Sequence, residues 1–169
     1  MSIHVSRFIV EIGSNISGME TQLVDPLDFK LPFDGDNEET KDPAFSRLVA
    51  RADGFLIIVP EYNHGIPGSL KRMIDSEDEL YKFKPVAFAG VSSGFAGGTR
   101  AIEQLISVVR AVGMFSLQKD LYFPFVQKIF TEEGEFIGDS KHVERVEKKF
   151  LELMEIAQVL KQLRVGNHE

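Results

Sequence analysis

One nine-residue segment combines side chains and backbone features that could bind a flat polar ring. It contains, in order, Pro60, Glu61, Tyr62, Asn63, His64, Gly65, Ile66, Pro67 and Gly68. The segment follows an apolar run and precedes a predicted helix, and ligands of open α/β sheets bind outside the carboxyl ends of such strands. Tyr62 could stack on a ring, backbone amides could bond its polar edge, and Gly65 would allow close approach. A turn that needs Pro and Gly only for its geometry is the alternative.

A second glycine-rich segment also lies between a predicted strand and a predicted helix. It runs from Val91 to Arg100 and includes Ser92, Ser93, Gly94, Gly97 and Gly98. Free N–H groups at a helix N-terminus favour an anion or a ring that carries carbonyl groups. The segment matches neither the Walker loop nor the G-x-G-x-x-G fingerprint, so it indicates binding without identifying the ligand.

The same region matches a hydrolase motif, which must be weighed against a binding loop. Gly90, Ser92 and Gly94 fit the G-x-S-x-G pattern of a nucleophile elbow, and His142 follows downstream. In that motif the helix begins at the serine, whereas Gly97 and Gly98 delay the predicted helix here. The sequence therefore favours a binding loop, and we assign no catalytic residue.

Composition excludes several classes of site. The chain has 169 residues, 43% of them hydrophobic, and we expect a single domain over 1–169. A net charge of −7 argues against nucleic-acid binding, which needs a basic face. With no cysteine, thiol chemistry is excluded, and the spacing of the four histidines predicts no metal site. These histidines are His4, His64, His142 and His168.

The same sequence carries no membrane or export signal that we can identify. The longest clean apolar run, Phe55 to Val59, is far shorter than the roughly 20 residues that span a bilayer. The first residues lack the basic and apolar regions of a signal peptide. We therefore predict a cytoplasmic protein that does not bind membranes.

Helical and strand patterns alternate along the chain, which predicts a parallel sheet with helices on its faces. The expected helices span 5–14, 43–52, 67–75, 98–112 and 140–164. Strands are expected at 19–24, 54–59 and 84–91 and within 114–123, with a surface loop at 30–42 and a small hairpin at 126–139. The last helix has apolar residues at heptad-like spacing, which suits either an oligomer seam or packing on its own sheet.

The two loops together resemble the NADPH-dependent FMN reductase family, which includes quinone, chromate and azo-dye reductases. The flavin-side motif of that family, P-E-Y-N followed by P-G-x-L-K-x-x-I-D, is similar to residues 60–75. The family's S-x-G-x-x-G-G-x-R loop is similar to residues 92–100. The resemblance extends over nearly the whole chain and implies a flavodoxin-like fold.

This resemblance implies a cofactor and an activity. The backbone from Glu61 to Asn63 would hold the pyrimidine end of FMN, and the loop from Ser93 to Gly98 would lie near the flavin ring and NAD(P)H. The implied flavin contacts are Pro60, Glu61, Tyr62, Asn63, His64, Gly65, Ser93, Gly94, Gly97 and Gly98. We also expect Gly94 to have a positive φ. Hydride would pass from NAD(P)H to FMN and then to a quinone-like or other small acceptor.

The resemblance further implies a homodimer or homotetramer with the flavin near the subunit interface. A function of a different class stays open: a catalytically silent flavodoxin-like domain, used for oligomerisation or interaction, that has lost tight FMN binding.

One part of the family pattern is missing. The family begins with a strand and a G-S-x-R-x-x-S loop for the FMN phosphate, whereas this chain begins inside the predicted first helix, where only Ser2, Ser6 and Arg7 resemble that loop. The expected fold is thus a doubly wound parallel sheet, N-terminally truncated, with its first central strand missing. Either the sheet re-pairs, another segment or chain fills the gap, or the gene product starts earlier. We expect this chain to bind FMN weakly or not at all.

Overall fold

The structure, a computed structural model, describes residues 1–33 and 41–166. Its helices are α1 (Ser2–Ser14), α2 (Pro43–Arg51), α3 (Gly68–Asp75), α4 (Thr99–Ala111) and α5 (Ser140–Gly166). Its strands are β1 (Phe55–Pro60), β2 (Pro85–Val91), β3 (Phe115–Ser116) and β4 (Leu121–Phe123). Part of the loop predicted at 30–42, residues 34–40, lies outside the described residues, as does His168.

The sheet is parallel, as the sequence predicts. β1 pairs with β2 from Phe55 opposite Val86 to Pro60 opposite Val91. On its other side β2 pairs first with β3 and then with β4. The strand expected within 114–123 is therefore two short pieces, because the register against β2 shifts by two residues between Ser116 and Leu121.

Two helix layers cover the sheet. The apolar cluster on one face joins α1 and α5 to the sheet, and the cluster on the other face joins α2, α3 and α4. β2 is buried at all seven positions, since it lies between other strands and between both helix layers. This arrangement confirms the doubly wound α/β fold.

Local sequence signals explain several of the boundaries. Asp42 caps α2 by accepting hydrogen bonds from Ala44 and Phe45, and Pro43 occupies the first helical position. A hydrogen bond from the Lys30 amide, together with those from Ala44 and Phe45, holds the pKa of the Asp42 carboxyl below its usual value. The hairpin predicted at 126–139 is reduced to a short 3-10 helix and one antiparallel bridge between Phe130 and Phe136.

The terminal helix packs on its own sheet. Val146, Phe150 and Leu153 of α5 are buried in the same cluster as Ile9 of α1 and Ala89 of β2. Of the two interpretations of its apolar spacing, the structure supports packing within the chain. No helix in the described part of the chain is long and apolar enough to cross a membrane.

The predicted strand at 19–24 is wrong. Residues 19–25 form neither helix nor strand, and no described strand pairs with β1 on the side away from β2. A strand needs a neighbour that satisfies its backbone groups, and the sheet has not re-paired to bring residues 19–24 next to β1. Met19 and Val24 pack against the two apolar clusters, and residues 18–27 line a groove beside β1.

Candidate functional site

The two candidate loops meet at one edge of the sheet. Residues 61–67 follow the carboxyl end of β1, and residues 92–98 follow the carboxyl end of the adjacent β2. The amide of Glu61 continues the ladder by donating to the carbonyl of Val91, at 3.1 Å. The structure thus brings the two segments together at the edge where open α/β sheets bind ligands.

The first loop contains a tight turn. Tyr62 and Gly65 exchange backbone hydrogen bonds of 3.0 and 2.9 Å, while Asn63 and His64 between them have φ values of 49° and 65°. Two consecutive residues with positive φ are the geometry of a type I′ turn. Among the hydrogen bonds of residues 1–33 and 41–166, none is donated by the backbone amide of Asn63 or His64. Both donors are available to a ligand.

The side chain of Glu61 ties the first loop to α4. Its carboxylate lies 2.6 Å from the Arg100 guanidinium and accepts a bond from the Arg100 amide at 3.3 Å. The Glu61 side chain is only 8% exposed, against 45% for Arg100. Its negative charge also lies in the first turn of α4, where the helix dipole stabilises an anion.

Gln104 supplies a second tie between the same loop and the same helix. Its amide nitrogen donates to the carbonyl of His64 at 3.0 Å, and its amide oxygen accepts from the amide of Ile66 at 3.4 Å. Gln104 follows Arg100 by four residues, so both side chains lie on one face of α4. Sequence reasoning missed these ties; the i, i+4 spacing after the glycine loop is the signal that could have found them.

The second loop is held by its own serine. The Ser92 hydroxyl donates to the carbonyl of Gly94 at 2.8 Å and accepts from the amide of Gly97 at 2.9 Å. α4 begins at Thr99, seven residues after Ser92. A serine used in this way, far from a helix start, does not have the geometry of a nucleophile elbow.

The glycines of this loop have different roles. Gly97 and Gly98 have φ values of 60° and 86°, a region that favours glycine. Gly94 has neither a positive φ nor a near neighbour in the way of a Cβ atom. The expectation that Gly94 has a positive φ is therefore wrong. The absence of a side chain at Gly94 still leaves open space beside the loop.

The aromatic side chains at this edge point outward. Tyr62 is 62% exposed and Phe95, in the second loop, is 80% exposed. Tyr122 lies beside Gly97 and bonds to the carboxylate of Asp120 at 3.2 Å. Burial raises the pKa of both the Tyr122 hydroxyl and the Asp120 carboxyl. This edge therefore offers exposed aromatic rings and free backbone N–H donors to a ligand. The Tyr122 hydroxyl and the Asp120 carboxyl both keep their protons to a higher pH than usual.

The predicted site residues fall into two groups. Glu61 acts through its side chain, and Pro60 ends β1, where it has no N–H to donate. The remaining eight lie in the two loops that face each other across this edge. They are Tyr62, Asn63, His64, Gly65, Ser93, Gly94, Gly97 and Gly98.

Comparison with known proteins identifies the family of this chain. The family model of the NADPH-dependent FMN reductases matches residues 4–128. The chain belongs to that family. It is 33% identical over 137 residues to an NAD(P)H:quinone oxidoreductase of Solanum tuberosum, covering 74% of this chain and 66% of that protein. It is 31% identical over 100 residues to a quinone reductase of Escherichia coli K12, covering 56% of this chain and 53% of that protein.

A solved structure supports the fold. The flavoenzyme NAD(P)H:(acceptor) oxidoreductase FerB of Paracoccus denitrificans has a TM-score of 0.75 at 21% identity, over 94% of this chain and 90% of that chain. The chain spans 42% of the length of an NADH-dependent flavin reductase subunit of Lactobacillus johnsonii and between about half and two thirds of the other two relatives. The family and the fold of this chain are thus shown.

Proposed function

We propose that this chain is an FMN-dependent NAD(P)H oxidoreductase that reduces quinone-like or other small electron acceptors. The observation that carries the proposal is the pair of loops, 61–67 and 92–98, that meet at the carboxyl edge of β1 and β2 in a member of this family. When bound, FMN would accept hydride from NAD(P)H and pass the electrons to the acceptor.

The described residues fit the ring of FMN. The amides of Asn63 and His64 would donate to carbonyl oxygens at the pyrimidine end, and Tyr62 would cover part of the ring. Gly94 leaves space for a flat group to approach the backbone of the second loop. Glu61 and Gln104 would hold the first loop in place against α4, so that these donors keep their positions when the ligand binds.

Fewer groups fit the phosphate of FMN. α1 begins at Ser2 with no side-chain cap, and the Ser6 hydroxyl bonds back to the carbonyl of Ser2 at 3.0 Å. The Ser6 hydroxyl is therefore already engaged, and the first turn of α1 would offer the phosphate little besides backbone amides. Weak or absent FMN binding stays our expectation.

We further propose a homodimer or homotetramer. Tyr62, Phe95 and Phe125 are large apolar or aromatic side chains exposed around the loops, and a second subunit would cover them as well as the ligand. The cytoplasmic location expected from the sequence stays a prediction.

The test is FMN titration followed by flavin fluorescence quenching, together with NADPH oxidation in the presence of benzoquinone. Tyr62→Ala should weaken FMN affinity about fivefold, since stacking on an exposed aromatic ring is worth about 1 kcal/mol. Phe115→Ala is the matched control, because this exposed ring lies at the opposite edge of the sheet. If the protein neither quenches FMN nor oxidises NADPH at saturating FMN, the silent-domain alternative is correct.

A further inference from the structure

The segment that follows β4, residues 125–127, binds the backbone of the second loop. Three successive carbonyl groups of that loop accept hydrogen bonds from this segment, each at 3.1 Å. The pairs are the Val126 amide with Ser92, the Gln127 side-chain amide with Ser93, and the Phe125 amide with Gly94. The segment thus fixes one side of the second loop.

The bond from Gln127 changes the direction of the Ser93 carbonyl. In a parallel sheet the N–H and C=O groups of one residue point to the same neighbouring strand, and those of the next residue point to the opposite one. The Val91 carbonyl bonds to the first residue after β1, and the Ser92 carbonyl bonds to the 125–127 segment. By this alternation the Ser93 carbonyl would face the first loop. The Gln127 side chain instead binds it from the side of β4.

The peptide bonds of the second loop then direct its amides the other way. In a planar trans peptide the C=O group of one residue and the N–H group of the next point in opposite directions. The amides of Ser93, Gly94 and Phe95 therefore point away from the 125–127 segment, to the side on which β1 and the first loop lie. All three residues are exposed, and none of these amides donates a hydrogen bond to any of residues 1–33 or 41–166.

Phe125 has a backbone conformation that is rare for a bulky residue. Its φ and ψ are both 47°, in the left-handed region. Such a conformation persists where surrounding contacts hold it, and residues of this kind cluster at functional sites. Successive amides lie on the same side of a chain that is helical in either hand, so this conformation lets the amides of Phe125 and Val126 both reach the second loop.

We propose that Phe125 and Gln127 are positioning residues, which turn the second loop so that its amides, and not the Ser93 carbonyl, face the ligand. This inference rests on the proposed function, in which the ligand is the flavin ring of FMN. The polar edge of that ring carries carbonyl oxygens, which accept hydrogen bonds from amides and would be repelled by a carbonyl of the loop. The amides of Asn63 and His64 in the first loop are also free, so donors would reach the ring from two loops.

The first experiment titrates the chain with riboflavin, which has the flavin ring without the phosphate, and follows quenching of flavin fluorescence. Gln127→Met removes the donor without adding a charge, and Gln127→Lys restores a donor of similar reach. Gln162→Met is the matched control. Gln162 is exposed and lies at the amino edge of the sheet, where its neighbour Lys161 pairs with Asp53 just before β1.

We expect Gln127→Met to raise the dissociation constant for riboflavin about fivefold, since the loss of one hydrogen bond changes an equilibrium constant by about that factor. Gln127→Lys and Gln162→Met should stay within about twofold of the unaltered chain, which is close to no change in free energy. An unchanged constant in Gln127→Met, or an equal rise in Gln127→Lys, would overturn the role of Gln127.

A second measurement needs no flavin. NMR order parameters of the Ser93, Gly94 and Phe95 amides should fall in Gln127→Met, from about 0.85 toward 0.6, and stay unchanged in Gln162→Met. Unchanged order parameters in Gln127→Met would overturn the proposal, whatever the protein binds. A fall in Gln127→Met, with no riboflavin binding by the unaltered chain, would support the positioning role and contradict the proposed function instead.

Two substitutions of Phe125 test the role of its backbone. Phe125→Asn and Phe125→Val both remove the ring, but Asn tolerates the left-handed region and a β-branched residue resists it. We expect the Val variant to bind riboflavin about fivefold more weakly than the Asn variant and to have lower order parameters at Ser93, Gly94 and Phe95. Equal order parameters in the two variants would show that the conformation of Phe125 does not position the loop.

Discussion

Gly98 lies where the start of α4 touches the middle of the sheet, and replacing it with alanine should be costly. A Cβ atom at this position would lie 2.6 Å from the Val91 nitrogen, 2.7 Å from the Gly90 Cα and 2.8 Å from the Gly90 carbonyl carbon. All three atoms belong to the backbone of β2, which is buried throughout and cannot rotate away as a side chain would.

The expected magnitude combines three effects. A non-glycine residue in the left-handed region costs about 1–2 kcal/mol, and Gly98 has a φ of 86°. Overpacking a buried contact adds about 1–3 kcal/mol. Alanine recovers about 0.4–1 kcal/mol by restricting the unfolded chain. We therefore expect Gly98→Ala to lower the free energy of unfolding by about 1–5 kcal/mol, which for a chain of this size lowers Tm by about 2–20 °C.

The assay is urea unfolding followed by far-UV circular dichroism, with Gly94→Ala as the control. Gly94 lies in the same loop, has no positive φ and has nothing within 4 Å of a built Cβ atom. Gly94→Ala should change the free energy of unfolding by no more than about 0.5 kcal/mol. A loss below 1 kcal/mol in Gly98→Ala, or an equal loss in Gly94→Ala, would refute the reasoning about close approach.

Three further variants test the Glu61–Arg100 ion pair, the hydrogen bonds of Gln104 to the first loop and the buried side chain of Lys84. Glu61→Gln removes the charge that pairs with Arg100 and should lower the free energy of unfolding in urea by about 1–2 kcal/mol. The effect is modest because Arg100 is half-exposed and solvent partly screens the pair. An unchanged free energy of unfolding would show that the pair contributes nothing to stability. Gln104→Leu removes the acceptor of the Ile66 amide, whose hydrogen exchange by NMR should quicken severalfold; unchanged exchange would contradict the tie. Burial lowers the pKa of the Lys84 ammonium from its ordinary 10.5 to about 8. Between these two pH values the unfolded chain binds more protons than the folded chain, so the free energy of unfolding should rise with pH. Lys84→Met lacks this group and should not show that rise. Parallel urea pH profiles of the two proteins would contradict that shift.

Much of the fold could be predicted from local pattern. The continuous apolar runs of β1 and β2 predict buried parallel strands, and Asp42 with Pro43 predicts the start of α2. The motif at 60–75 and the loop at 92–100 indicate the family, and both lie where the order of strand, loop and helix predicts. Each of these signals depends on residues that are close together in the chain. The assignment of 1–169 to one domain stays a prediction.

Only the tertiary structure shows which residues pair with β1 and which side chains fix the first loop against α4. Residues 19–24 have strand-like composition, yet a strand exists only when a non-local neighbour satisfies its backbone groups, and β1 is not that neighbour. Glu61 and Gln104 act through partners about 40 residues away, so their side-chain roles follow from the packing of α4 against the first loop. Local propensity and spacing are contained in the sequence of a short segment, whereas pairing and docking depend on which distant segments the fold brings within hydrogen-bonding distance.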